Sequence, residues 1–315
     1  MTSRTAAPVR VFAPGAIGNI GPGLDILGMA VEGLGDTVEA THAPGPGVTV
    51  TGSGHASLPT DPNHHSSALA AREALRLAGA TTAGVALRVT KGLPLAGGQG
   101  GSAASAVAGA LATDRLLELG LSERQLAEAA LYAEERVAGR HLDNILPCLL
   151  GGIILVRSAE DWDVVRVPAP PGLVIVLAHP EQEMRTARAR AALPATVPLA
   201  VALHQAAQVG AMTLALAIGD IALLGRAIDD RIAEPARAPL LPGFPEAKRA
   251  ALEAGALGCS ISGSGPTTFA FSDSDATARR IARAMQTAYR QRGLTASTRI
   301  TRVSQDGARV LEGER

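Results

Sequence analysis

Apolar and polar positions alternate with a period of two over Thr37 to Thr41 and Val48 to Thr51, and Val9-Arg10-Val11-Phe12 ahead of them reads as a short strand. That period is the pattern of a half-buried strand. The first strand is predicted to end at Pro14-Gly15, and the other two to be separated by the turn Pro44-Gly45-Pro46-Gly47. The period then lengthens. Ser67 to Leu77 reads as an amphipathic helix, Val85 to Val89 as a strand, and Ala103 to Leu119 as one long helix. A further helix follows a cap at Ser122, with Glu123 and Gln125 close behind, and runs through Leu126 to Val137. Ile153 to Val156 and Val174 to Leu177 read as buried strands. Beyond about residue 180 helices dominate, over Thr186 to Ala192, Leu199 to Ile218, Ile221 to Ile232 and Phe244 to Ala254. A strand from Thr267 to Phe271, a helix from Asp275 to Arg292 and a strand from Ala296 to Val303 complete the pattern, and the polar residues 304 to 315 read as a frayed end. The strands are unevenly separated, which predicts an α+β fold over a regular βαβ series.

Composition narrows the class. A chain of 315 residues buries a sizeable core, in one large or two intimate domains. Lys plus Arg and Asp plus Glu are both 29, so the basic excess of a nucleic-acid surface is missing. Cys148 and Cys259 lack metal-ligand spacing and point to a reducing compartment. Met1 to Arg10 lacks the apolar core of a signal peptide, and no stretch is read as the roughly 18 apolar residues of a membrane span. The expectation is a cytoplasmic protein with neither nucleic acid nor membrane as partner.

The segment Pro94-Leu95-Ala96-Gly97-Gly98-Gln99-Gly100-Gly101-Ser102-Ala103-Ala104-Ser105 carries the candidate chemistry. It places four glycines within five residues, after a strand and at the start of a helix of small residues. Glycines let the backbone approach a ligand closely, and a helix start aims free N–H groups and a positive dipole end at it. This is a device for holding phosphate. A P-loop is excluded because Gly101 is followed by Ser102 and Ala103, without a lysine. Gly98, Gly100 and Ala103 fit the dinucleotide pattern, but two helices follow where that fold needs a second strand and its acidic residue.

Two more glycine-bearing segments stand far away in the chain, Ala13 to Asp25 and Gly258 to Pro266. Together the three segments resemble the motifs of the GHMP kinases, the small-molecule kinases named for galactose, homoserine, mevalonate and phosphomevalonate. The resemblance spans nearly the whole chain. It implies a two-domain α+β fold, with an N-terminal ATP-binding α+β domain over residues 1–165 and a C-terminal ferredoxin-like α/β-sandwich domain over 166–315. Four further segments are similar to the homoserine kinase branch: Asn19 with Asp25; His141-Leu142-Asp143-Asn144 with Pro147 and Gly151-Gly152; Thr186 to Arg190 with Leu193-Pro194; and Glu234 to Arg237 with Leu241-Pro242.

That resemblance implies ATP-dependent phosphorylation of the side-chain hydroxyl of L-homoserine, in threonine biosynthesis, with ATP and Mg²⁺ as cofactors and a homodimer as a candidate assembly. It assigns the phosphates to Pro94 through Ala104, Mg²⁺ to Ser102 and Glu134, and catalytic roles to Asn19 and Glu134. Homoserine falls to Asn19, Asp25, His141, Thr186, Arg190 and Arg237. The residue types suit this chemistry: guanidinium forks bind a carboxylate bidentately, a carboxylate accepts from an ammonium, and hard oxygens bind Mg²⁺. No general base is assigned, since phosphoryl transfer proceeds largely by positioning and charge neutralisation. Taken singly, Arg190 and Arg237 read as solvated helix arginines and Asp25 as a helix cap; their joint occurrence carries the reading. Glu135, adjacent to Glu134, is the competing metal ligand.

The chain departs from the family in three places, the mildest being Ala16-Ile17-Gly18, where small hydroxyl residues are common. The usual G-L-G-S-S-A is here Gly98-Gln99-Gly100-Gly101-Ser102-Ala103, and Asn63-His64-His65-Ser66 stands where apolar residues help to line the adenine site. The departures leave two alternatives, a non-catalytic sensor of an amino acid or nucleotide on the same fold, and a kinase for another small alcohol.

Overall fold

In the computed structural model, which describes residues 7–312, the period-two segments gather into one sheet. It contains β1 (Val9–Gly18), β2 (Leu27–His42), β3 (Gly47–Ser53), β4 (Gly84–Thr90), β5 (Ile153–Ser158) and β6 (Asp163–Val167). The outer half of β2 pairs with β4, and its inner half, Leu27 to Met29, pairs with β5. Helices α1 (Ser66–Leu77), α2 (Gly101–Leu117), α3 (Glu123–Val137) and α4 (Leu142–Leu150) pack together and against this sheet. Alanines such as Ala68, Ala71, Ala106 and Ala130 are fully buried between them, which keeps the backbones close. Ser122 and Gln125 form the reciprocal cap that starts α3.

The second sheet holds β7 (Val174–Pro180), β8 (Gly258–Ile261), β9 (Thr268–Ser272) and β10 (Ala296–Thr301) in the order β10-β7-β9-β8. All its pairings are antiparallel. With α9 (Phe244–Glu253) and α10 (Asp275–Gln291) on its face it is a ferredoxin-like sandwich. Between β7 and α9 lie α5 (Thr186–Ala191), α6 (Leu199–Ile218), α7 (Ile221–Arg226) and α8 (Ala233–Arg237).

Four details differ from the sequence expectations. β1 does not end at Pro14-Gly15; it passes through them to Gly18 with a register shift, because a proline without an N–H is tolerated at a bulge. The helix expected over Ile221 to Ile232 breaks after Arg226. The Asp230 carboxylate accepts from the N–H groups of Ile232, Ala233 and Glu234 at 2.8, 3.0 and 2.8 Å and starts α8 anew. Residues 304–312 are not frayed: β11 (Arg309–Val310) pairs with Val11 and Phe12, and Leu311 N–H donates to the Arg10 carbonyl at 2.8 Å. Finally, α6 is long and apolar enough to cross a membrane by length and composition. Its Gln205 is nonetheless buried and donates to the Pro22 carbonyl and to Asp230, both at 2.9 Å. The leader reading of Met1 to Arg10 falls, for residues 1–6, outside the described residues, as does the end reading for 313–315.

Sequence reading also passed over α4, which contains Pro147. Proline cannot donate to the Asp143 carbonyl one turn earlier, and β2 packs directly on that carbonyl. A Cβ at Gly28 would lie 1.7 Å from the Asp143 oxygen, so only glycine fits there.

Candidate active site

The three glycine-bearing segments, far apart in sequence, are tied to one another. Ala16 N–H donates to the Gln99 carbonyl at 3.0 Å, and Gly263 N–H to the Gly18 carbonyl at 3.1 Å. Ser262 Oγ donates to the Gly98 carbonyl and Thr267 Oγ1 to the Gly97 carbonyl, each at 2.6 Å. The third segment thus clamps the second from behind. Gly98 has φ +72°, and a Cβ on it would sit 2.5 Å from the Ser262 oxygen. The walls enclose a cavity of about 570 Å³, a volume suited to a small-molecule ligand. Asn19, Ile20, Asp25 and Ala96 take positive φ although none is glycine, a strain that the surrounding hydrogen bonds hold.

At the glycine loop, α2 begins at Gly100 in the left-handed conformation, with no side chain capping its first turn. The N–H groups there are free to receive an anion. Ser102 Oγ donates to Glu134 Oε1 at 2.8 Å, while Glu134 Oε2 is buried without a hydrogen-bond partner. Burial pushes the Glu134 carboxyl up to about 7, the Ser102 hydroxyl holding it down only in part. An orphaned carboxylate oxygen beside a hydroxyl is a donor set that fits a hard divalent cation. Glu135 points away, half-exposed, and accepts from Arg140 at 2.6 Å.

On the other side, Arg190 donates bidentately to Asp25 at 2.5 and 2.7 Å, and His141 Nδ1 lies 3.7 Å from the same carboxylate. Burial alone would raise the Asp25 carboxyl, but the nearby His141 ring and the bidentate Arg190 fork outweigh it and hold the group well below the usual carboxylate range. Burial likewise pulls the His141 imidazole down, and the carboxylates of Asp25, Asp143 and Glu134 outweigh it and raise it. Arg237, only 4 % exposed, donates to the Gly263 carbonyl at 2.7 Å. Asn19 donates its side-chain amide to the same carbonyl at 3.1 Å and accepts from Asp25 N–H at 3.1 Å. Thr186, the first residue of α5, is on the cavity wall.

The family of this arrangement is decided by comparison. The chain matches the model of the GHMP kinases N terminal domain over residues 65–152 and that of the GHMP kinases C terminal domain over 212–291. A homoserine kinase of Chlorobium phaeobacteroides is 39 % identical over 319 residues, covering 96 % of this chain and 99 % of its own. One from Chlorobium phaeovibrioides is 40 % identical over 318 residues, with 96 % and 99 % covered. The chain belongs to the GHMP kinases, in their homoserine kinase branch. The crystal structure of homoserine kinase from Cytophaga hutchinsonii superposes with a TM-score of 0.92 at 37 % identity, covering 99 % of this chain and 100 % of that one.

In this GHMP kinase the cavity gathers all the sequence-singled site residues except Gln99, Ala103, Ala104 and Arg190, which stand behind its wall. Arg190 reaches it through Asp25. Among the cavity residues to which the sequence assigned no role are Lys91, His65, Asp143 and Asn144. Lys91 forms a buried ion pair with Asp36 and donates to the Gly101 carbonyl at 3.0 Å and to Ser105 Oγ at 3.1 Å. Nothing in the sequence marks a lone lysine after β4. Asp143, buried and pushed up to about 6 by desolvation, accepts from Asn19 N–H at 3.2 Å. Its signal was present, in the Asp143-Asn144 pair of the quoted motif. His65 caps α1 by accepting from Ser67 N–H at 3.2 Å, and burial pulls its imidazole down to about 4.

The Gln99 departure faces away from the cavity. Its side-chain amide donates to Thr267 Oγ1 at 2.9 Å, bracing the hydroxyl that holds the Gly97 carbonyl. Gln99→Leu is therefore expected to lower stability by about 0.5–1.5 kcal/mol in urea unfolding, the worth of one hydrogen bond. The KM for ATP should move by less than about twofold, because no ligand contact is removed.

Proposed function

We propose that this chain transfers the γ-phosphoryl group of ATP to the side-chain hydroxyl of L-homoserine, giving ADP and O-phospho-L-homoserine, the step before threonine synthesis. The supporting observation is the convergence, in one cavity, of an uncapped helix start and the Ser102–Glu134 pair with Asp25, His141 and Arg237, which Arg190 joins through its bidentate bond to Asp25. A phosphate site and a site with both signs of charge stand side by side. A zwitterion fits the second. Its ammonium replaces one guanidinium bond on Asp25, and its carboxylate takes up Arg190 and Arg237. The exchange leaves the charge of the cluster balanced.

The loop from Pro94 to Ser102 and the first turn of α2 cradle the phosphates and orient the γ-phosphoryl group. Asn19 and Asp25 hold the substrate so that its hydroxyl oxygen forms the new bond to phosphorus as the bond to ADP breaks; the hydroxyl proton is released. Glu134 and Ser102 would hold Mg²⁺, which when bound neutralises phosphate charge. The balance of 29 basic and 29 acidic residues speaks against a nucleic-acid partner, and the two free, buried cysteines fit a cytoplasmic, reducing compartment. The exposed face of α6 supports a homodimer.

A coupled ADP-release assay with Mg-ATP and homoserine, threonine, serine, mevalonate or galactose tests the reading. Rapid release is expected with homoserine alone. Folded protein that binds homoserine without releasing ADP would instead be a sensor, and a better rate with mevalonate or galactose would move the substrate to another alcohol.

A further inference from the structure

His65 brings an unused donor to the wall of the cavity. The residue stands just before α1, is 2 % exposed, and its ring nitrogen Nδ1 accepts from Ser67 N–H at 3.2 Å. That cap fixes the tautomer. A ring nitrogen that accepts carries no proton, so the neutral imidazole has its single proton on Nε2. Nε2 is buried and has no hydrogen-bond partner. The ring is neutral at pH 7, since burial and the Lys91 ammonium pull it down to about 4.

A buried donor without an acceptor costs stability and calls for a reason. Capping is not the reason, because serine or threonine starts a helix well without bringing a second ring nitrogen to bury. The charged neighbours do not supply an acceptor either. Lys91 is itself a donor, to Asp36, the Gly101 carbonyl and Ser105 Oγ. The Asp36 carboxylate, whose charge reaches the ring, is taken up by Lys91, Ser105 Oγ and the N–H groups of Gly92 and Leu93.

What remains is the cavity, which His65 lines together with the apolar Leu58, Pro59, Leu95, Val137 and Ala138. Apolar walls with a few placed polar groups suit a heterocycle and its sugar. The uncapped start of α2 on the same cavity suits the phosphates. A neutral donor in surroundings that resist charging matches a neutral acceptor better than an anion.

We propose that His65 Nε2–H binds the nucleoside half of ATP, donating to a ring nitrogen of the base or an oxygen of the sugar. The inference rests on the reading of this chain as an ATP-dependent kinase. One nitrogen of the ring then starts α1, and the other holds the nucleotide.

His65→Asn separates the two nitrogens. Asparagine is a good helix cap and keeps an acceptor for Ser67 N–H, but its short amide leaves the Nε2 position without a donor. In calorimetric titration ADP is expected to bind His65→Asn about three- to tenfold more weakly than wild type, the scale of one neutral hydrogen bond. Inorganic tripolyphosphate, which has no nucleoside, should bind both proteins alike. In wild-type protein carrying isotope-labelled histidine, the His65 Nε2–H signal, assigned by its loss in the variant, should shift when ADP is added and stay in place with tripolyphosphate. Equal ADP affinity in the two proteins, or a His65 signal that ADP leaves in place, would overturn the proposal and leave the residue a helix cap. Equal losses for ADP and tripolyphosphate would also overturn it, since the nucleoside would then not be the partner. A folded wild-type protein that binds no ADP would remove the kinase reading itself, and the inference with it.

Discussion

Glu134→Gln is expected to lower kcat by on the order of 10²-fold or more, the scale of losing one preorganised charge at a developing transition state. The substitution keeps the size of the side chain and its contact with Ser102, and removes only the charge that would hold the metal. Homoserine binding should change little, because Glu134 lies on the phosphate side of the cavity. Glu135→Gln is the control: that side chain pairs with Arg140 outside the cavity, and the variant should keep full activity. A crippled Glu135→Gln with an active Glu134→Gln would overturn the assignment. Stability moves the opposite way. Burial raises the Glu134 carboxyl from about 4.5 to about 7, so between these values the native protein keeps a proton that the unfolded chain releases. Stability of the ligand-free protein should then fall as pH rises through that window and level off above about 7. The glutamine variant should lose this component and be the more stable protein at pH 8; Asp143, raised to about 6, adds a slope of the same sign below that pH, and His65, pulled down to about 4, one of opposite sign. Metal binding requires the ionised form, so wild-type activity at limiting Mg²⁺ should drop about tenfold per unit below pH 7.

Arg237→Leu is expected to reduce kcat/KM for homoserine by on the order of 10- to 100-fold, since a hydrogen bond to a charged group is worth roughly 1.5–3 kcal/mol. Arg237 is buried, and desolvation pulls its guanidinium below the usual arginine range, so it gains from an anion placed beside it. The Gly263 carbonyl it leaves still accepts from Asn19, which limits the structural damage. The KM for ATP should be nearly unchanged, because the phosphates are assigned to the loop across the cavity. An amino alcohol lacking the carboxylate should be a poor substrate for the wild type and little worse for the variant. That non-additivity separates a lost carboxylate contact from a general loosening, which would slow both substrates alike. If the variant instead weakens ATP and leaves homoserine dependence intact, Arg237 faces the nucleotide.

Local pattern carried most of the elements. The period-two runs at Thr37 and Val48, the capping box at Ser122 and the apolar spacing of α10 each act within a few residues, so the sequence alone determined them. Three remote glycine segments also declared the family, since a backbone that must make a close approach leaves glycine as its residue. Elements that depend on distant partners were not legible. β2 is 16 residues long because β4 and β5 pair with its two ends; α4 contains Pro147, and β2 packs on the carbonyl that the proline leaves without its helical donor; residues 309–311 are ordered by β1. The candidate site divides in the same way. Sequence preferred Glu134 and kept its neighbour Glu135 as the competitor; in the structure Glu134 is the one buried beside Ser102. It named Gln99 as a loop defect, and the structure turns that side chain onto Thr267. Lys91 was invisible, because its meaning comes from Asp36 and Ser105, which only packing sets against it. Residue types determined which chemistry this chain can hold. The tertiary structure decided which of those residues lose their water and face one another, because burial, hydrogen bonding and the pKa shifts that follow are properties of neighbours in space.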